Sequence, residues 1–543
     1  MAPSSSGVSR PTIPPATLAP ETPAGTSATT PAPQSSQPTG FSTLSTFQPP
    51  AQTTPGQTHQ VTPNVTAQLT DRTATVNANV TTTDHRADAG GNTSDRTTTI
   101  GGQATYTFPQ RADGRTPATP ANLEATLRAD DHLTTDTHRP DGTRVQTDER
   151  TTGNLSISDT QNPQGPTVQA GLSGASSRTE TQPNGRSETT ARTGQLSVTA
   201  SPTNVGGSAE VTTRHTQTES DRSTTTNSGV RLNLQVNPQT GSVGAGVRLN
   251  AGQSVTTGTT TRTNSTQLEL QVQRNRLNPG VAPAQNQTTL TGTLTLGSGV
   301  SDTATQASEQ RRQVLTGRLS TGAQGTSGAL SYSNHTEFNT PAAGRSGSSD
   351  LSIGGTFNVP RAQPGQTAAP VTAGLTARYA QTDTRPEAGG RRTTTLNANA
   401  GLQYTGPRPG NAAAGTPGTA ASLRLDVGGS YSNMLTRRDG TTTGYEVHGN
   451  LSAPLTGGGT VTGNIGGSVT TGNGWRVGAD AYLNAQGGTA LVGTATRQVN
   501  PNLDLQLRAG IGAGQGAAPA ADGTVSTDGA SGFNVGVRAT LHF

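Results

Sequence analysis

Few residues of this 543-residue chain have the type and spacing to do chemistry. There is no cysteine, which excludes thiolate nucleophiles, thiolate zinc sites and disulfide frameworks. The eight histidines are scattered. Only His132 and His138 come near a metal-ligand grouping, with Asp130, Asp131 and Asp136 beside them. The adjoining Arg139-Pro140-Asp141-Gly142 marks that cluster as the flank of a solvated hairpin tip. Glycine-dense runs such as GIGAGQG near residue 512 lack both dinucleotide spacing and a following helix. No Gly-x-Ser-x-Gly elbow, phosphate-binding loop, HExxH or EF-hand loop occurs. The sequence therefore nominates no catalytic, cofactor-binding or metal residue, and a non-enzymatic protein is expected.

The charged residues are distributed in a way that matters more. Lys and Arg total 37, all of them arginine, against 33 acids, for a net charge of +4. Either a genomic bias toward arginine codons or a use for guanidinium forks that grip carboxylates fits this pattern. The arginines are interleaved with Asp and Glu. Without a basic stripe or stacking aromatics, nucleic acid is not an expected partner.

Several charged residues alternate strictly with apolar ones. Val230, Leu232, Leu234 and Val236 alternate with Arg231, Asn233 and Gln235. Leu423, Leu425 and Val427 alternate with Arg424 and Asp426. Leu503, Leu505, Leu507, Ala509 and Ile511 alternate with Asp504, Gln506 and Arg508. Period two places one set on each face of a strand. Helix-period patterns are scarce, and Thr and Gly at this density oppose helix. By strand parity, Arg231, Arg248, Arg424, Asp426, Arg476, Asp480, Asp504, Arg508 and Arg538 share the polar side, as does His542.

Turn signals separate the strands and fall into two alternating sets. One is rich in Pro, Gly and Asn, as in Asn162-Pro163-Gln164-Gly165 and Asn237-Pro238-Gln239-Thr240-Gly241. The other is charged, as in Arg139-Pro140-Asp141-Gly142, Gln182-Pro183-Asn184-Gly185 and Arg437-Arg438-Asp439-Gly440. Asp-Gly and Asn-Gly suit tight hairpins in which both central residues take positive φ. Alternation of the sets is the mark of an up-and-down meander. The expected sheet has a compact Pro/Gly edge and a longer polar edge, and each strand carries a short apolar band and a polar extension. Roughly 22 to 24 strands are expected from residue 61 onward. Residues 1–60, dominated by Pro, Thr and Ser, are expected to be a disordered arm.

Hydrophobic residues make up 28% of the chain and aromatics 3%, a poor supply for a thick dry core. The sparse apolar band suits a lipid-facing belt around a polar lumen, and ring closure removes exposed strand edges. The fold expected is a large antiparallel up-and-down β-barrel. No apolar run is long enough for a transmembrane helix.

The last residues read Phe533-Asn534-Val535-Gly536-Val537-Arg538-Ala539-Thr540-Leu541-His542-Phe543. This strand resembles the terminal strand of bacterial outer-membrane β-barrel proteins, which end in Phe. The resemblance implies outer-membrane lipid and the barrel-assembly machinery as partners, with Phe533, Val535, Val537, Leu541 and Phe543 as the assembly signal. It also implies a location at the bacterial outer membrane or cell surface. The function expected is a passive pore, or a scaffold with long polar hairpin extensions. A Thr-rich secreted or surface-anchored adhesin is the alternative.

Two features run against the resemblance. The first twenty residues show no basic segment followed by an apolar one, so they do not form a recognisable signal peptide. The aromatic girdle is also uneven. Residues 109–331 hold no Phe, Tyr or Trp, whereas Tyr379, Tyr404, Tyr431, Tyr445, Trp475 and Tyr482 cluster later. That asymmetry allows a subdivision into a polar β passenger (61–330) and a membrane barrel (331–543), set against one continuous barrel over 61–543.

Overall fold

The computed structural model describes residues 43–45, 52–54, 56–69, 73–108, 122–160, 167–275, 286–361, 369–408, 418–456, 459–483, 487–500, 503–513, 518–519, 525–526 and 532–541. Twenty-four long strands follow one another as hairpins. They begin with β1 (Gln57–Leu69), β2 (Thr73–Ala87), β3 (Thr93–Thr107), β4 (Asn122–His138), β5 (Arg144–Thr160), β6 (Thr167–Thr181), β7 (Ser187–Ala200) and β8 (Val205–Thr218). Next come β9 (Arg222–Asn237), β10 (Ser242–Thr257), β11 (Thr260–Asn275), β12 (Gln287–Asp302), β13 (Ala307–Gly322), β14 (Gly325–Thr340), β15 (Arg345–Pro360) and β16 (Thr372–Glu387). The last are β17 (Gly390–Thr405), β18 (Ser422–Arg437), β19 (Thr442–Thr456), β20 (Thr462–Thr470), β21 (Trp475–Leu483), β22 (Thr489–Asn500), β23 (Leu503–Ala513) and β24 (Gly532–Leu541). Each pairs antiparallel with its sequence neighbours, and pairing is unbroken across residue 330. One 3-10 turn, Pro341–Ala343, interrupts the pattern.

The register fixes the faces, because directly opposed residues project to the same side. Leu232 opposes both Ala209 and Val247, Val247 opposes Leu270, Leu294 opposes Leu315, Leu402 opposes Leu425, and Ile511 opposes Phe533. Followed strand by strand, one apolar face runs from β1 to β24. Every large hydrophobic side chain exposed within a long strand lies on it, apart from Leu455 at the bulge near Leu423 and Arg424. The other face is polar throughout, with Val492 and Ala490 among its few buried apolar residues.

Along a strand, the apolar face is itself divided. In β9 it reads Arg222, Thr224, Thr226 and Ser228, then Val230, Leu232, Leu234 and Val236. The 16 residues of β9 span about 50 Å and the apolar part about 20 Å. Thr–Thr pairs such as Thr81–Thr99 (3.1 Å), Thr216–Thr225 (3.2 Å) and Thr256–Thr261 (3.0 Å) tie the polar half on the polar face. Hydroxyl pairs and backbone ladders make this half a sheet without a core. In β23 and β24 the extension is missing, and apolar positions run to the strand ends at Leu503 and Leu541.

The turns correct two expectations. All connections on the charged edge are short, from the two residues 258–259 to the five residues 139–143. The long ones lie on the proline edge, including 276–286, 406–421 and 514–531. On the charged edge Asx-Gly closes a hairpin at once. The charged turns are also not built with two positive-φ residues. Gly142 takes φ 81°, but Asp141 before it does not have positive φ. The Gly142 N–H donates to the Arg139 carbonyl (3.0 Å), and the Arg139 N–H to the Thr143 carbonyl (2.9 Å). This is a type I turn closed by a left-handed glycine bulge. Gly185, Gly440 and Gly474 repeat it, with φ of 81°, 83° and 82°.

Asp141 completes the turn by accepting the Thr143 N–H at 2.9 Å. That backbone hydrogen bond, aided by the Thr143 hydroxyl, holds its carboxyl below the usual carboxylate range. A depressed folded pKa contributes stability that is complete above the unfolded value and is lost as pH falls through the folded one. The Thr143 amide resonance is therefore expected to titrate below pH 3.8, the ordinary value. Asp141→Ala should abolish that titration, and NMR of the amide checks both.

The N-terminal boundary also moves. Residues 1–42 and Phe543 lie outside the described residues. Part of the segment expected to be disordered is paired: β1 starts at Gln57, and Thr43–Ser45 and Gln52–Thr54 lie along its outer edge. Pairing through backbone groups needs no large side chains, so composition alone did not mark this stretch. The expected ring is not closed. No ladder joins β1 to β24 among the described residues, and the architecture is one open, single-layer antiparallel sheet. The short strands on β1 occupy the edge that closure would need.

Candidate functional site: a charged face behind an apolar one

All nine charged residues singled out by parity fall on the polar face. Arg231 directly opposes Glu210 and Arg248, and Arg248 opposes Glu269. Glu210, Arg231, Arg248 and Glu269 thus form one row across β8 to β11, two of each sign. Arg231 Nη1 lies 4.0 Å from Glu210 Oε2, and Arg248 Nη2 donates to Gln267 Oε1 at 2.8 Å. Arg424 reaches Asp426 at 3.1 Å and donates to Ser452 Oγ at 2.6 Å. Arg476 pairs with Glu446, two strands away from its own.

Asp480 lies 2.8 Å from His448 Nε2 across β20. The residue between them is Gly466, which opposes both. A Cβ on Gly466 would overlap the Asp480 carboxylate, so glycine leaves the gap through which the pair meets. Asp504 and Arg508 lie on β23, and Arg538 on β24 is exposed. The nine residues do not gather into one locus. They spread along the sheet, and the ion pairs Arg231–Glu210, Arg424–Asp426, Arg476–Glu446 and His448–Asp480 are separate and exposed or half-buried, so each contributes little stability individually.

Histidine pairing was missed by sequence reasoning. His59–Asp84, His85–Asp95, His132–Asp148, His215–Glu188, His335–Asp350 and His448–Asp480 all pair across strands. Partners are 10 to 32 residues apart in the chain, so no local motif carries the signal. In the grouping near His132, Asp130 is taken by Arg150 at 2.6 Å and Asp136 by Arg144. Among the described residues no three His, Asp or Glu side chains converge as metal ligands.

Apart from Arg274, which opposes Val243 at the proline edge, the described charges on the apolar face keep to its polar half. Arg96–Asp131 at 2.9 Å and Arg345–Asp383 at 3.1 Å are examples, and both lie near the charged edge. Two depressions mark the faces. A polar trough of about 600 Å³ on β2 to β5 is lined by Asn77, Asn79, Gln103, Arg128, Asp130 and Arg150. An apolar groove of about 610 Å³ is lined by Leu270, Leu290, Leu319, Leu330 and Phe357, with Gly292, Gly317 and Gly355 along its floor.

Aromatic residues on the apolar face form partial rows. Tyr332, Tyr379 and Tyr431 stand where apolar positions give way to polar ones, and Tyr106, Phe357 and Tyr404 stand near the proline edge. Val535 and Val537 are exposed on the apolar face, and the side chains of Phe533 and Leu541 lie outside the described residues.

No protein-family model and no curated protein matches this chain. Among solved structures it is similar to the siderophore receptor PirA from Pseudomonas aeruginosa. The identity is 10%, over 83% of this chain and 78% of that one, with a TM-score of 0.23. A likeness that low carries no argument about fold or function.

Proposed function

We propose that the protein is a non-enzymatic outer-membrane β-barrel, formed when β24 closes onto β1. The observation that carries this reading is the apolar face. Exposed Val, Leu and Ile side chains run across the whole sheet, and among the described residues no second layer covers them. Water-soluble proteins rarely leave apolar patches larger than a few hundred Å². A lipid belt covers such a face, and the polar face then lines water.

Further features support the proposal. An even number of antiparallel strands closes without a mismatched pair. Short turns share the charged edge with the start of β1 and the end of β24, and long connections lie on the opposite edge, as in bacterial barrels. A closed ring of this size is about 45–50 Å across. Its inward face carries both signs of charge, two of each in the row Glu210, Arg231, Arg248 and Glu269, so it suits a weakly selective water-filled pore or a scaffold for the polar extension. The terminal strand resembles the element that barrel-assembly machinery reads, and that machinery is the proposed partner.

Cell fractionation with a heat-modifiability gel tests the proposal. The expected result is a membrane-fraction protein that resists SDS, migrates fast unboiled and slows on boiling. A protein soluble without detergent would favour the Thr-rich adhesin reading, to which the polar extension lends itself.

A pore further predicts a charge effect. Arg231→Gln with Arg248→Gln leaves Glu210 and Glu269 unopposed. The reversal potential in a planar bilayer should then move toward cation selectivity at about 0.1 M salt. It should return to the parent value at about 1 M, where screening acts within about 3 Å.

A further inference from the structure

The outer edge of β1 already has an occupant. Thr43, Leu44 and Ser45 pair with Ala67, Thr66 and Val65, and Gln52, Thr53 and Thr54 pair with His59, Thr58 and Gln57. The Ala87 N–H donates to the Gly56 carbonyl at 2.7 Å. Antiparallel ladders alternate, so even-numbered residues of β1 direct their backbone groups to β2 and odd-numbered ones to the outer edge. Pro63 is odd and brings no N–H. It lies between the two paired patches, and the patches differ in register by one residue. Proline on an outer edge is a known guard against pairing with other chains.

β24 has no second partner among the described residues. It runs antiparallel to β1, and both turn their apolar residues to the same face. A strand edge offers one row of donors and acceptors, and two strands cannot use it together. Resting on the barrel reading above, we propose that the paired segments Thr43–Ser45 and Gln52–Thr54 act as a displaceable strap. The strap caps β1 while the sheet is open and leaves when β24 takes its place. The surface in question is the β1 edge, and the partner it fits is an extended antiparallel strand of the same chain.

The chain lacks cysteine, so a single engineered disulfide can test this cleanly. Leu44 and Thr66 are directly opposed and form a non-hydrogen-bonded pair, in which Cα atoms approach to about 4.5 Å, within disulfide reach. Full-length Leu44→Cys with Thr66→Cys would be oxidised, refolded into detergent micelles and run unboiled. The expected result is loss of the fast-migrating band, restored by reductant. Thr53→Cys with Thr58→Cys, at the other patch, should behave alike. Thr62→Cys with Thr81→Cys ties β1 to its permanent neighbour β2 and should keep the band when oxidised.

An oxidised strap variant that keeps the band would overturn the competition. Failure of the Leu44–Thr66 disulfide to form in the open chain would overturn the strap itself. Absence of the band in the parent protein would instead remove the barrel reading on which both depend.

Discussion

Leu232→Arg is expected to abolish SDS-resistant assembly, while Asn233→Arg, one residue along the same strand, should leave it intact. Leu232 is 47% exposed on the apolar face, in the middle of the band of β9. An arginine at the depth of a bilayer midplane costs about 2–4 kcal/mol in a membrane barrel, a large share of the stability of most proteins. Asn233 opposes Ser208 and Gly246 on the polar face, where a guanidinium meets water. The outcome separates two worlds. If the apolar face meets water, Leu232→Arg is an ordinary surface change worth less than about 0.5 kcal/mol. The measurement is the unboiled-to-boiled band ratio of both variants beside the parent.

The second large effect is steric. Gly444→Ala is expected to destabilise the folded chain by about 1–3 kcal/mol, the usual range for overpacking. Gly444 opposes Met434 on β18, and an added Cβ would overlap the Asn433 carbonyl oxygen and sit 2.7 Å from Met434 Sδ. Backbone cannot rotate away as a side chain can, so the strands would have to part. The control is Gly244→Ala in β10, where a Cβ would meet nothing within 4 Å. There the loss of glycine's freedom in the unfolded chain should raise stability by about 0.5–1 kcal/mol. Urea midpoints in detergent compare the two. Equal midpoints would show that β18 and β19 do not approach as closely as described.

Features that depend on neighbouring residues were legible in the sequence, and those that depend on distant strands were not. Period two is local, so the faces of Arg231, Arg248, Arg424 and Asp504 could be assigned from their neighbours alone. Hairpin spacing is local too, and the number of strands came from it. The turn geometry was not fully readable, because Asp-Gly fits both a two-residue hairpin and the bulged turn at Asp141-Gly142. Only the backbone bond from Arg139 to Thr143 distinguishes them. The relative length of the two edges is not legible for a related reason: polar character suggests a long loop, but Asx-Gly shortens it. The histidine–carboxylate pairs needed the register of whole strands, as with His448 and Asp480 across Gly466. Closure depends on which strand wins an edge. No pattern in β1 or β24 states that Thr43–Ser45 and Gln52–Thr54 would be there first.

An even number of crossings returns a meandering chain to the rim it left. The segment ahead of Gln57 and the segment beyond Leu541 therefore depart from the same side of the sheet. Complementary halves of a split fluorescent reporter, one spliced ahead of the first crossing and one behind the last, would find each other in a single compartment and glow. One crossing more or fewer would strand them on opposite sides, dark.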